Sequence, residues 1–157
     1  MAAIKRHPGL QRERGAVVVE MALVLPLFLL IVAGVIDLGF LYWEKEVLTN
    51  AAREGARAKV QAGTSGERFT DTEIRSRMQI YLRNMNIKDA AGSPITLTGS
   101  NCTFTWNTSA TPPQLTVTLQ NIPVNLMMLH KIQNLFGGGG VDGTIYLDAR
   151  CTMAREW

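Results

Sequence analysis

Between Ala16 and Trp43 the chain reads AVVVEMALVLPLFLLIVAGVIDLGFLYW, and only Glu20 and Asp37 in that run are charged. As a helix rising about 1.5 Å per residue it would reach roughly 42 Å, more than the roughly 30 Å hydrocarbon core of a bilayer. Its interior, Met21–Ile36, carries no charge at all. Tyr42 and Trp43 close it where an interfacial aromatic belt would sit. A cleaved secretory signal has an apolar core of about 7–15 residues and a small-residue cleavage site. This run is longer, and Glu44-Lys45-Glu46 follows in what reads as continuing helix. The prediction is a membrane-spanning helix.

The charge pattern orients it. Residues 1–15 hold Lys5, Arg6, Arg12 and Arg14 against Glu13, a net +3. That equals the net charge of the whole chain, so the remaining residues are formally neutral. Basic residues flanking an apolar segment stay cytoplasmic. The part beyond Trp43 is therefore expected outside the cytoplasm, with the span in the inner membrane. Nucleic-acid binding usually needs a basic patch on a folded face. None remains once the leader is set aside, so no nucleic-acid partner is expected. The 157 residues suffice for one domain plus an anchor.

The boundary between leader and span has its own grammar. Gly15 ends the charged leader, and Glu20 sits five residues into the apolar run. A carboxylate inside a membrane segment is costly and usually has a partner. If the chain were cut after Gly15, Ala16 would gain a free amino group and Glu20 would become the fifth residue. That carboxylate could then pair with the amino terminus of a neighbouring subunit. Left unbundled, it could stay hydrated at the interface.

Three stretches resemble the TadE-like family of Tad (tight adherence, Flp-type) pilus systems: Gly15-Ala16-Val17-Val18-Val19-Glu20, Ala22-Leu23-Val24-Leu25-Pro26, and Asn50-Ala51-Ala52-Arg53-Glu54-Gly55-Ala56-Arg57. The resemblance is strongest over residues 12–60. Met21 departs from it, standing where many pilin-like sequences carry an aromatic. The resemblance implies a pseudopilin, cut by a prepilin peptidase at Gly15–Ala16. It also implies a role in building the pilus rather than catalysis. Implied partners are that peptidase, other pilins or pseudopilins, and the pilus assembly platform.

Beyond the membrane the helix should run to about Ala62, where Gly63-Thr64-Ser65-Gly66 ends it. Ala51/Gly55, Ala52/Ala56 and Ala58/Ala62 are small pairs at i, i+4 that allow close backbone approach. Glu54 and Arg57 are spaced to pair on the helix surface. Thr70-Asp71-Thr72-Glu73 is a capping-box pattern. Ile74, Met78, Tyr81, Leu82 and Met85 then form one apolar face, which predicts an amphipathic helix over about 71–87. Lys88–Pro94 reads as a turn.

After this the period becomes two. Cys102/Phe104/Trp106, Leu115/Val117/Leu119 and the odd positions of 145–153 predict half-buried antiparallel strands, with Thr on the wet face. Ile95–Thr98 is a candidate fourth strand, and Val124–Phe136 an insert of short helix or loop before Gly137–Gly140. The glycine run lacks the Lys-Ser/Thr and the strand-to-helix context of a phosphate loop. His130 has no ligand-type neighbour, and the only other histidine is His7. Asp142 and Asp148 read as a solvated pair near the glycines. No metal, cofactor or catalytic constellation is expected. Cys102 and Cys151 fall on apolar strand faces. They could form a disulfide if their strands are neighbours with Cα atoms within roughly 7 Å, closing a loop worth roughly 4 kcal/mol. Otherwise they are two buried thiols.

The expected fold is α+β: a long N-terminal helix, one amphipathic helix and an antiparallel sheet of three or four strands. The expected organisation is a leader (1–15), a transmembrane part (16–43), an extramembrane continuation (44–62) and an exported head (63–157). The leading function is that of a non-enzymatic pseudopilin acting in pilus biogenesis, surface adherence or secretion. The alternative is an uncleaved single-span protein whose exported domain binds a partner or ligand.

Overall fold

The computed structural model describes residues 9–62, 69–89, 91–129, 131–132 and 143–155. The first helix, α1, is continuous over Gly9–Ala62, so it begins inside the basic leader rather than at Ala16. Its apolar composition leaves few competing side-chain hydrogen bonds, and no glycine stands where a left-handed turn would break it. Pro26 lies inside it. Proline costs one helical hydrogen bond, a loss that membrane helices tolerate. The Gly63–Gly66 stop and the Gly137–Gly140 run lie outside the described residues, as do His7, His130 and Asp142.

Helix α2 covers Asp71–Asn84, and its start is chemically specified. The Thr70 hydroxyl accepts from the Glu73 N–H at 3.3 Å, while the Thr70 N–H donates to Glu73 Oε2 at 2.7 Å. The Thr70 N–H, and the Thr70 hydroxyl that also donates to Oε2 at 2.9 Å, hold the Glu73 carboxyl below its usual range. The helix ends about three residues before the expected limit. Asn86 adopts φ +56°, a left-handed conformation that stops the helix. Ile74, Met78 and Leu82 are buried, and Met85, at the C-cap, is exposed. In the turn that follows, Asp89 accepts from the N–H groups of Ala91 and Ser93, and Lys88 bridges Pro94.

Three strands follow: β1 (Cys102–Asn107), β2 (Gln114–Asn125) and β3 (Thr144–Ala154). They form one antiparallel sheet in the order β1-β2-β3. Ile95–Thr98 does not join it. Its side chains Ile95 and Leu97 are nevertheless buried, and the Leu97 N–H reaches Gln79 Oε1 on α2. Strand β2 is longer than its alternation indicated because a bulge interrupts the register between Leu119 and Ile122. The irregularity moves the apolar set from Leu115, Val117 and Leu119 to Ile122 and Val124, so all five are buried. Asn121 takes φ +52° there, and its N–H donates to Asp148 Oδ1 at 2.7 Å. Asp148 therefore secures a bulge rather than belonging to a solvated pair.

The extramembrane part of α1 packs on α2, β2 and β3. Val47, Leu48, Ala51, Ala52, Ala56 and Val60 join the sheet and α2 in one core. The opposite face of the sheet is polar, where the Thr116 and Thr152 hydroxyls meet at 2.9 Å. The arrangement is a pilin-like α+β layout.

The strand order decides the cysteine question against a disulfide. Cys102 stands opposite Leu119 and Cys151 opposite Val117, on the two outer strands with β2 between them. Two strand spacings amount to about 9.5 Å, beyond the roughly 7 Å that a disulfide spans. Both thiols are free. Burial, opposed by the nearby Arg75, raises the Cys102 thiol above its usual value.

Candidate assembly surface on the N-terminal helix

Among the described residues nothing covers α1 from Gly15 to Leu25. Gly15, Ala16 and Glu20 are exposed, and a side chain added at Gly15 would meet no atom within 4 Å. The valines and leucines from Val17 to Ile31 are exposed around the whole circumference. Only 6% of the most apolar stretch is buried, which separates it from the core helix of a soluble domain. So wide an apolar surface is stable only against lipid or against other helices. Among the described residues α1 is the one helix long and apolar enough to cross a membrane, which marks a membrane-anchored protein.

The next landmark is Asp37, a lone charge near the far end of the span that sequence reasoning left without a partner. It is 3% exposed. Its carboxylate accepts three backbone N–H groups: from Met127 at 3.0 Å and Met128 at 2.9 Å on Oδ1, and from Leu129 at 2.6 Å on Oδ2. The chain leaves β2 at Asn125 and turns here, and Ile132 N–H bonds back to Met128 O. The first N–H groups of such a turn have no local acceptor, so an anionic side chain satisfies them. A lone acid in an apolar run was the available signal. Its partner, some ninety residues away, left none.

Seven residues on, Glu44 is treated differently. Its Oε2 is buried with no hydrogen-bond partner, and burial pushes the carboxyl up to about 7. It borders a recess of about 620 Å³ between α1 and the loops at residues 86–92 and 125–131.

The small residues of α1 lie where it enters the head. Ala51, Ala52 and Ala56 are fully buried. A Cβ at Gly55 would overlap Met78 Sδ and stand 3.0 Å from Met78 Cγ. Arg53, Glu54 and Arg57 are exposed on the other side and border an open groove with Arg77, Ile80 and Cys151. Arg53 reaches Asn50 Oδ1 at 3.4 Å. Lys59 forms an ion pair with Asp71 and lies over the Phe104 ring, tying α1 to α2 and β1. Burial, and then the Arg75 charge, lower its ammonium below the usual value. Among the described residues no cluster of three or more His, Cys, Asp or Glu side chains could hold a metal ion.

The structure thus brings Ala51, Ala52, Gly55 and Ala56 together in one contact. It keeps Gly15, Ala16 and Glu20 apart from the head, at the opposite end of α1, and holds the two cysteines on separate strands. The class is an anchored protein in which one helix serves both the membrane and the head. The family model described as TadE-like protein matches residues 15–57. This segment, running from the exposed Gly15 to the groove-lining Arg57, is about a quarter of the chain and is what the chain shares with TadE-like proteins. Searches of the curated proteins and of the solved structures each found no match.

Proposed function

We propose that the chain is a pseudopilin of a Tad/Flp-type pilus assembly system. A prepilin peptidase cuts it after Gly15, and its apolar helix then bundles with other pilins or pseudopilins at the assembly platform. The observation that carries this reading is the TadE-like match beginning at Gly15, laid along an α1 surface that the described residues leave bare. Cutting there removes the leader's net +3, the charge that orients insertion, and leaves a formally neutral subunit. It also places a new ammonium at Ala16. The Glu20 carboxylate of a neighbour is a suitable counter-charge in an apolar bundle, where either ion alone is costly. The head lies outside the cytoplasm and offers its surface to other pilus or secretion components. The role is structural, with no catalysis.

Replacing Glu20 with Ala tests the bundling step. Membrane insertion should be intact, since the change makes the span more apolar. Recovery of the subunit in sheared pili or in cross-linked assemblies should drop. Unchanged incorporation would remove the pairing role of Glu20.

A further inference from the structure

We propose that the turn at Leu126–Leu129 is a second membrane contact, seated in the leaflet on the head side of the bilayer. The inference rests on the membrane span alone and is independent of processing or pilus assembly.

Depth is the first observation. Asp37 lies six residues before Trp43, about 9 Å along the helix axis toward the bilayer centre. The turn is fastened to Asp37 by three backbone hydrogen bonds. The turn's N–H groups are thus held at the level of Asp37, on the hydrocarbon side of the Tyr42–Trp43 belt, while Leu126 and Met127 reach up to the recess that Trp43 and Glu44 border. Its neck is fixed as well: Asn125 pairs with Thr144, and the Leu126 N–H donates to Gly143 O at 2.8 Å. The turn is therefore a built excursion from the end of the sheet back down α1.

Chemistry is the second observation. The side chains facing outward at that depth are Met127 and Met128, 53% and 44% exposed. Exposed methionines alone are ordinary on a soluble surface, but at the level of Asp37, beside the exposed apolar flank of α1, these two extend one lipid-facing surface. Exposed Lys131 follows them and, with Phe40, Trp43 and Met127, borders the recess at belt height. A lysine there can lay its stem along the apolar side and place its ammonium among the headgroup phosphates. The backbone N–H groups of the turn could not face hydrocarbon unsatisfied. Asp37 removes that penalty, which accounts for a carboxylate at a depth where one is costly.

The experiment places a nitroxide at Met127, Met128, Phe28 or Ile80 of the full-length protein, with Cys102 and Cys151 replaced by Ala. Each variant is reconstituted at low protein-to-lipid ratio in phosphatidylethanolamine–phosphatidylglycerol vesicles. Collisions with oxygen, which concentrates in lipid, are compared with collisions with a water-soluble nickel chelate. Phe28 in the span should favour oxygen, and Ile80 on α2 should favour nickel. Met127 and Met128 should side with Phe28, and D37A should shift them toward Ile80. A Met127 label that favours nickel while Phe28 favours oxygen overturns the proposal and leaves the span intact. Loss of both kinds of collision at Met127 also overturns it, because a protein neighbour would then cover the turn. A Phe28 label that favours nickel would instead sink the span itself, and this proposal with it.

Discussion

Asp37 and Glu44 are carboxylates two helical turns apart on the same face of α1, and their surroundings give them opposite properties. Asp37 is almost wholly enclosed but accepts three N–H groups. Glu44 is half-buried with one oxygen unpaired. Its carboxyl, raised to about 7 from an ordinary 4.5, makes stability depend on pH in a definite direction. Between those two values the folded chain keeps a proton that the unfolded chain has released. Stability therefore falls as pH rises through that window and levels off above it. Glu44→Gln should remove this component: relative to the parent it should be more stable above neutrality and gain little near pH 4. Thermal unfolding of both proteins in detergent across that range measures it. A parallel pH dependence in the two would show that Glu44 ionises freely in the folded state.

At the scale of elements, the contact between α1 and α2 depends on the absence of a side chain. Met78, fully buried, occupies the space that a Cβ on Gly55 would need. Gly55→Ala should destabilise the head by about 1 kcal/mol, the overpacking cost of about 1–3 kcal/mol less the roughly 1 kcal/mol that alanine gains over glycine inside a helix. Gly15→Ala adds its methyl in open space and should leave the unfolding midpoint unchanged. Denaturant titration of the two variants compares them. Both helices and the three strands were legible because each is written locally: an unbroken apolar run, a capping box with a 3.6-residue period, and strict alternation. The bulge was not, because Gln120 and Asn121 give no cue that β2 continues to Asn125. Strand order was not legible either. Alternation assigns each cysteine a face but says nothing of which strands are neighbours, so the pairing of Cys102 with Cys151 fails on topology. The Asp37 contact escaped for the same reason: it joins residues some ninety positions apart.

For the whole molecule, the main feature is that its two ends are made for different surroundings. Among the described residues, α1 is exposed from Gly15 to Val32 at every position but Pro26, while its second half is the central strut of the head. A helix built this way joins the head to the membrane and leaves its apolar flank bare among the described residues. The TadE-like segment covers both halves of that helix and stops before the sheet, so the membrane end and the strut form one matched unit. The central claim is that the bare end of the helix begins, in the working protein, at Ala16. The most direct test is to express the full chain with and without an active prepilin peptidase of its own pilus system and to determine the N-terminus of the membrane fraction. The account predicts a chain beginning at Ala16 only when the peptidase is present. A chain that still carries the basic leader ahead of Gly15 in the presence of active peptidase would contradict it.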